Sequence, residues 1–304
     1  MPDIHGDVSS SPAGLSSPAS MIGILMADIH YREYKILLRP ERLFNPHQFE
    51  VCWNRVGAIA AALNVGVVAS KDGFKRRVRE VLFYDTPGHD LYRNAFILRK
   101  RTFYNDGWAD PDHELTLKFR LADHQAAAKA NIVSRLHRTA DIKFKEELLP
   151  LQEGVGGMRS LFSHNCVLLS PDLVLNQGLD RIAAVFPILA DHFPSSDGAR
   201  MALVNNLSVE EVQVNCGSFD FGHGLVAKAS IAVWRDRSTQ TPIVGEFAFQ
   251  AKFDRYDALH AKAIARSEAF FKAVQTQAQD WVQLGATKTA LVYAFAAPLV
   301  PARK

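Results

Sequence analysis

One stretch of the chain, residues 80–120, constrains its fold more than any other because it contains three short β patterns joined by turns. The first pattern, 81–84, is apolar and aromatic, and the sequence Asp-Thr-Pro-Gly at 85–88 closes it with residues that favour turns. The second, 96–101, and the third, 113–120, alternate polar and apolar side chains. Since successive side chains of a strand point to opposite faces, these patterns predict a sheet with one apolar face and one charged face.

The charged face of this predicted sheet carries arginine or lysine at every second position. Arg99 and Arg101 share one face of the second pattern, and Lys118 and Arg120 share one face of the third. For any single strand, a solvated outer face of an antiparallel sheet is the commoner explanation. A binding surface is predicted only if the same alternation recurs on other strands. It recurs in segments 30–39, 141–149, 201–215, 225–234 and 243–253.

Helical patterns separate the predicted strands and supply the apolar surfaces that can cover them. Apolar residues recur with helical spacing in 47–63 and 255–284, and Gly285 ends the second helix. A short helix is also predicted over 153–162, after a glycine-rich bend, whereas the basic run 71–79 is interpreted as a solvated connector. Helices that cover the apolar sheet faces from outside leave the charged faces of seven or eight strands turned towards one another.

The predicted fold class is therefore α+β, with an antiparallel β-barrel that is closed or nearly closed, has a charged interior and is flanked by helices. Such an interior is stable only if its charges pair, contact water or hold a ligand. Arginine and lysine suit phosphate oxygens, and a few carboxylates beside them suit Mg²⁺ or Mn²⁺. The predicted lining consists of Glu33, Lys35, Arg99, Arg101, Lys118, Arg120, Lys143, Lys145, Glu147, Glu246 and Lys252.

Composition limits the class of protein. The 304 residues are 48% hydrophobic and 22% charged, as in globular proteins with a buried core, and a net charge of only +3 gives no support for general nucleic-acid binding. Residues 1–27 are predicted to be a disordered tail, and 28–304 a single barrel domain. The apolar run 21–27 is too short to span a membrane and lacks the basic flank of a secretory signal, so a cytoplasmic location without membrane contact is expected.

Three motifs in this order and spacing resemble the CYTH family, the triphosphate tunnel metalloenzymes. They are Phe-Tyr-Asp-Thr-Pro at 83–87, Ala-Phe-Ile-Leu-Arg-Lys-Arg at 95–101 and Glu-Leu-Thr-Leu-Lys at 114–118. The order of elements is also similar: an opening Glu-x-Lys strand, these hairpins, a late strand beginning with Glu, and a closing helix with a lysine beyond it. The resemblance spans residues 30 to about 295.

The resemblance implies a β-tunnel that binds a small phosphorylated ligand, and a divalent metal, Mg²⁺ or Mn²⁺, that helps water to attack the terminal phosphoryl group of a triphosphate. It implies catalytic roles for Glu33 and Lys35. Together with the alternation pattern, it predicts phosphate contacts by Lys35, Arg99, Arg101, Lys118, Arg120, Lys145, Lys252 and Lys288. The predicted metal ligands are Glu33, Glu147 and Glu246.

Two departures from the family motifs bear on the activity. The family's opening Glu-x-Glu-x-Lys begins here with Tyr31, and its late Glu-x-Glu ends here with Ala248, so each carboxylate pair is reduced to one residue. Fewer carboxylates weaken metal binding more than anion binding. One hypothesis is therefore a triphosphatase that hydrolyses inorganic, thiamine or nucleoside triphosphate with a divalent metal. The alternatives are a non-catalytic module for a phosphorylated or polyanionic ligand, and a barrel whose charges only pair with one another.

Overall fold

The computed structural model of the chain describes residues 29–136, 140–194 and 198–296, so the predicted disordered tail at 1–27 lies outside the described residues. The strands are β1 (Tyr31–Leu38), β2 (Gly66–Ala69), β3 (Arg76–Asp85), β4 (Phe96–Asn105), β5 (Trp108–Leu121), β6 (Ala140–Leu149), β7 (Arg159–Leu169), β8 (Ala202–Leu203), β9 (Val209–Asp220), β10 (Val226–Asp236) and β11 (Pro242–Lys252). The α-helices are His47–Ala62, Asp90–Arg93, His124–Lys129, Leu179–Val185, Pro187–His192, Ala261–Gln277 and Lys288–Tyr293.

Nine of these strands form a closed ring. Their order is β9-β10-β11-β1-β6-β7-β5-β4-β3, and β3 pairs with β9 to close the barrel, while β2 pairs with β9 and β8 with β3. The predicted closed barrel with flanking helices is confirmed. The prediction of an antiparallel barrel is wrong for one pair, because β1 and β6 run parallel, with Glu33 opposite Glu147. Alternation along a strand identifies its two faces but not the direction of its neighbour, so the sequence pattern could not reveal this pairing.

Helices cover the outer face of the barrel in two places. Helices His47–Ala62 and Ala261–Gln277 pack on the outer side of β1 and β9–β11, where Tyr34 stacks on Phe249 with ring centroids 4.5 Å apart. The Tyr34 hydroxyl also shares a hydrogen bond of 2.7 Å with Ser267 of the second helix. Helices Leu179–Val185 and Pro187–His192 cover the outer side of β4, β5 and β7. These two apolar layers bury the uncharged faces of the strands.

The inner side of the barrel is apolar at one end. Leu37 follows Lys35 by two residues in β1, and Val81 follows Arg79 by two residues in β3, so each apolar side chain shares a face with a charged one. The C-terminal helix Lys288–Tyr293 packs against these residues and closes this end. The cluster, called the apolar plug below, consists of Leu37, Val81, Phe83, Ile97, Val204, Leu207, Val209, Trp234, Val244, Val292 and Tyr293.

Asp85 ties the apolar plug to the turn after β3. Its carboxylate accepts hydrogen bonds from the backbone N–H groups of Thr86 at 2.8 Å, Leu91 at 2.9 Å and Tyr92 at 3.0 Å, and from the Tyr293 hydroxyl at 2.9 Å. Burial raises the pKa of Asp85, although each of these hydrogen bonds acts in the opposite direction. In this chain, the Phe-Tyr-Asp-Thr-Pro motif therefore anchors the helix that closes the barrel.

Three element predictions are wrong or too long. The predicted helix at 153–162 is absent, and β7 begins at Arg159 instead. The segment 71–79, predicted to be a connector, overlaps β3, because this strand already begins at Arg76. The β3–β4 hairpin therefore extends beyond its apolar core. The helix predicted over 255–284 occupies only Ala261–Gln277, because a 3₁₀ turn at Tyr256–Ala258 precedes it and Val282 after it bridges to Leu38 of β1.

Candidate functional site

A cavity of about 200 Å³ is lined by residues from all nine strands of the closed ring and from the C-terminal helix. Seven of the lining side chains are lysine or arginine and four are glutamate, which leaves three positive charges in excess. Alternation places these residues on the face opposite the helical layers. The lining consists of Glu33, Lys35, Arg79, Arg99, Arg101, Lys118, Lys145, Glu147, Asn165, Glu211, Gln213, Ser230, Glu246, Ala248 and Lys288.

Glu147 is the centre of the first ionic cluster in this cavity. Lys35 Nζ lies 3.3 Å from Glu147 Oε1 and 3.1 Å from Glu33 Oε2, so the ammonium bridges two carboxylates of neighbouring strands. Lys118 donates to Glu147 Oε1, and Ser163 Oγ donates to the same oxygen at 2.8 Å. Burial alone would raise the pKa of Glu147, but the surrounding cations, Lys118 first, hold it well below its ordinary value.

A second ionic cluster is centred on Lys288, which enters the cavity from the C-terminal helix. Lys288 Nζ donates to Glu246 Oε1 at 2.6 Å and lies 3.7 Å from Glu211 Oε1, above the ring of Trp234. Glu211 also accepts a hydrogen bond from Arg79, its partner across β3 and β9. Burial would raise the pKa of Glu211, but Arg79 and the other cations hold it far below its ordinary value. Both clusters thus place an ammonium group between two carboxylates.

Arg99 and Arg101 differ from the other cations of the cavity. No carboxylate forms an ion pair with either of them among the described residues, and the Nε of each is buried without a hydrogen-bond partner. Burial lowers the pKa of Arg99, and burial together with Arg99 and Arg79 lowers the pKa of Arg101 to about 9. Glu211 and Glu114 act on these two guanidinium groups only at longer range and do not offset the cost of burial, so both groups lack a direct ion-pair partner.

The cavity contains most of the site residues predicted from sequence, but not all of them. Arg120 lies beside it, with Nη1 3.7 Å from Glu147 Oε2 and Nη2 donating to Thr287 Oγ1 at 3.4 Å. Lys252 does not line the cavity: it is exposed at the end of β11, with Nζ 5.8 Å from the ring centroid of Tyr31. The predicted residues that line the cavity are Glu33, Lys35, Arg99, Arg101, Lys118, Lys145, Glu147, Glu246 and Lys288.

Arg79 is the main cavity residue that the sequence interpretation missed. It was assigned to the solvated basic connector, yet it forms a buried pair with Glu211 and also donates to Gln213. Its position two residues before Val81 and four before Phe83 was a usable signal, because it places all three on one face of a longer strand. Lys143, by contrast, was predicted to line the interior but lies outside the cavity, where it pairs with Asp141 at 2.5 Å.

The predicted metal ligands do not fit a divalent cation as they are arranged. Within the described ranges, no group of three or more histidine, cysteine, aspartate or glutamate side chains is placed to hold a metal ion. Each of the four cavity glutamates already contacts a lysine or arginine, as described above. Mg²⁺ requires about six oxygen ligands at roughly 2.0–2.1 Å, and here ammonium groups occupy the space between the carboxylates.

A second, wider cavity of about 470 Å³ adjoins the charged one at its open end. The two share Glu33, Gln213, Ser230 and Ala248, so the short side chain of Ala248 lies where the two cavities meet. Away from this junction, the lining combines uncharged polar side chains, small or apolar residues and two opposite charges, Asp72 and Lys228. It includes Ser70, Asn215, Ser218 and Gln250. A ligand can therefore reach the cations through an entrance that offers hydrogen-bonding groups and in which the charges of Asp72 and Lys228 balance.

The fold and the site define a closed β-barrel protein with a cation-rich cavity. No family model matches the chain, and no curated protein matches it. Among the described residues, none of the helices has the length and apolar character needed to cross a bilayer.

Solved structures align with most of this chain at low sequence identity. A proposed adenylyl cyclase from Hippeastrum, described as having a dominant triphosphatase activity, is 14% identical with a TM-score of 0.41, over 88% of this chain and 96% of its own. The protein PH1819 from Pyrococcus horikoshii is 11% identical with a TM-score of 0.36, over 87% and 99%. A proposed adenylate cyclase from Bacillus halodurans is 12% identical with a TM-score of 0.35, over 86% and 96%. Likeness at this distance says nothing about chemistry, which depends on the side chains of this chain.

Proposed function

We propose that the barrel is a tunnel-like site with a charged interior that binds a small polyphosphate, such as triphosphate, and that its primary role is binding. The observation that carries this proposal is that Arg99 and Arg101 form no ion pair among the described residues and that their buried Nε atoms lack hydrogen-bond partners. A buried, unpaired cation is unfavourable, and an anion that enters the cavity would relieve this cost.

Polyphosphate fits the arrangement better than a single carboxylate or phosphate does. Guanidinium groups bind phosphate oxygens by forked hydrogen bonds, and lysines on neighbouring strands add point charges around them. The cations that line the cavity come from β1, β3, β4, β5 and β6 and from the C-terminal helix. They are therefore distributed around the cavity and do not cluster on one wall. A chain of phosphates can contact several of them at once.

Substitution of Arg101 with glutamine tests this proposal. Because a hydrogen bond to a charged group contributes roughly 1.5–3 kcal/mol, we expect Arg101→Gln to weaken the binding of sodium triphosphate about ten- to a hundredfold in isothermal titration calorimetry. The matched control is Lys100→Gln, which removes a positive charge from the adjacent, outward-facing position of β4. Equal losses in both variants, or no triphosphate binding by the unmodified protein, would refute the proposed site.

Metal-dependent hydrolysis of a triphosphate is the second candidate function. One observation favours it: Glu33 and Glu147 lie opposite each other on β1 and β6, so a carboxylate pair forms between strands although Tyr31 interrupts the motif within one strand. Release of phosphate from triphosphate with Mg²⁺ or Mn²⁺, abolished in Glu33→Ala, would establish this activity and a catalytic role for Glu33. Because both carboxylates are engaged by lysines, we rank this function below binding.

A further inference from the structure

We infer that the cavity takes its polyphosphate as the metal-free anion, with the ammonium groups of Lys35 and Lys288 in place of divalent cations. This inference rests on the proposed polyphosphate site and specifies the form of its ligand. Polyphosphates in solution bind Mg²⁺ readily, so a protein site must accept either the magnesium complex or the free anion. The two forms differ in charge and demand different surroundings.

The first observation is the position of Lys35. Its Nζ lies almost midway between two carboxylates, 3.1 Å from Glu33 Oε2 and 3.3 Å from Glu147 Oε1. The two glutamates are directly opposite in the parallel pair β1–β6, and such a pair of facing carboxylates is a common basis for binding a cation. Here the cation is covalently part of the protein.

The second observation is that the same arrangement occurs independently at Lys288. Its Nζ lies 2.6 Å from Glu246 Oε1 and 3.7 Å from Glu211 Oε1, and the Trp234 ring centroid lies 4.5 Å away on another side. The ring face attracts a cation and excludes the water that a bound metal usually retains. Ala248, two residues after Glu246, adds no further oxygen ligand.

The third observation is the charge left over when these clusters are complete. All four cavity carboxylates contact fixed cations, while Arg99 and Arg101 form no ion pair among the described residues and their Nε atoms lack hydrogen-bond partners. A free polyphosphate supplies negative charge to these two groups. Its magnesium complex supplies less negative charge and brings a second cation into a cavity that is already cationic, so the free anion is the better electrostatic match.

Calorimetric titration of the full chain with sodium triphosphate, once in EDTA and once in excess MgCl₂, tests the inference. We expect binding at least tenfold tighter in EDTA, because Mg²⁺ competes with the protein for the anion. Binding that is tighter in MgCl₂, or that requires it, would overturn the inference and leave the proposed polyphosphate site intact. Absence of binding in both buffers would overturn the site itself.

A variant provides a second readout that does not depend on triphosphate. Lys288→Met keeps the apolar part of the side chain but removes the ammonium, so Glu211, still paired with Arg79, and Glu246 lose the cation that they share. We expect this variant to bind Mn²⁺ measurably by electron paramagnetic resonance at concentrations where the unmodified protein and the outward-facing control Lys100→Met do not. If Lys288→Met does not fold by circular dichroism, Lys35→Met is the equivalent test at the first cluster. Mn²⁺ binding by the unmodified protein would overturn the inference.

Discussion

Replacement of Glu211 with glutamine is expected to destabilise the protein but strengthen its binding of triphosphate. Glu211 is a useful probe because its side chain is 2% exposed and its partner Arg79 is 13% exposed, so the pair is buried. The substitution removes one negative charge with almost no change in shape. It leaves Arg79 without its ion-pair partner and Lys288 with one carboxylate instead of two.

The two effects have separate magnitudes. Loss of one partner of a buried ion pair typically costs about 3–5 kcal/mol, and the lower end, about 3 kcal/mol, applies here because glutamine still accepts a hydrogen bond from Arg79. Binding should change in the opposite direction. At an effective dielectric of about 20, a unit charge about 5–6 Å from a bound phosphate contributes about 3 kcal/mol of repulsion, so its removal should tighten binding about a hundredfold.

Urea denaturation with and without sodium triphosphate measures both effects. The matched control is Glu210→Gln, since Glu210 is the adjacent residue of β9 and pairs on the outer side with Arg235, whose side chain is 37% exposed. Loss of this outer pair should lower the unfolding free energy by only about 0–1 kcal/mol and leave the binding of triphosphate unchanged. The reasoning would be refuted if Glu211→Gln destabilises the protein no more than Glu210→Gln does, or if it weakens the binding of triphosphate.

Two further predictions concern stability. Glu33 is held by Lys145 and Lys35 at a pKa of about 2 against the raising effect of burial, so its ionised form stabilises the fold above the ordinary glutamate pKa and loses that effect as the pH falls from about 4.5 to about 2. The difference in unfolding free energy between the protein and Glu33→Gln, from urea titrations at pH 7 to 3, should therefore shrink below pH 4.5; a constant difference would contradict the assignment. Tyr293→Phe removes the hydroxyl that donates to Asp85 and should lower the unfolding free energy by about 1–2 kcal/mol, whereas Tyr92→Phe, whose ring stacks on Tyr293, should lower it less.

The barrel and much of its inner surface could be predicted from sequence because the evidence is local. Leu115, Leu117 and Phe119 alternate with Thr116 and Lys118, and that pattern alone assigns the two faces of β5. Where a strand extends beyond the helical layers, both faces contact water and the alternation disappears. For this reason the run Arg76-Arg77-Val78-Arg79 resembled a connector, and Arg79 was missed.

The pairings between distant segments could not be predicted, and the chemistry of the site depends on them. Glu147 contacts Lys35 and Lys118, which come from strands far away in sequence, and Glu211 contacts Arg79 only because β3 and β9 close the ring. Lys252 had the same alternation as the cavity residues, but the register of β11 against β1 places it at the exposed strand end. Alternation identifies a face, whereas depth along the barrel axis follows from register.

The apolar plug has a consequence for the shape of any ligand. Since Trp234, Tyr293 and their neighbours fill one end of the barrel interior, we expect a ligand to enter and leave the cavity through the opposite end. A linear polyphosphate would then reach the guanidinium groups with a terminal unit first. Selectivity for chain ends would follow from this geometry alone, before any side chain distinguishes one compound from another.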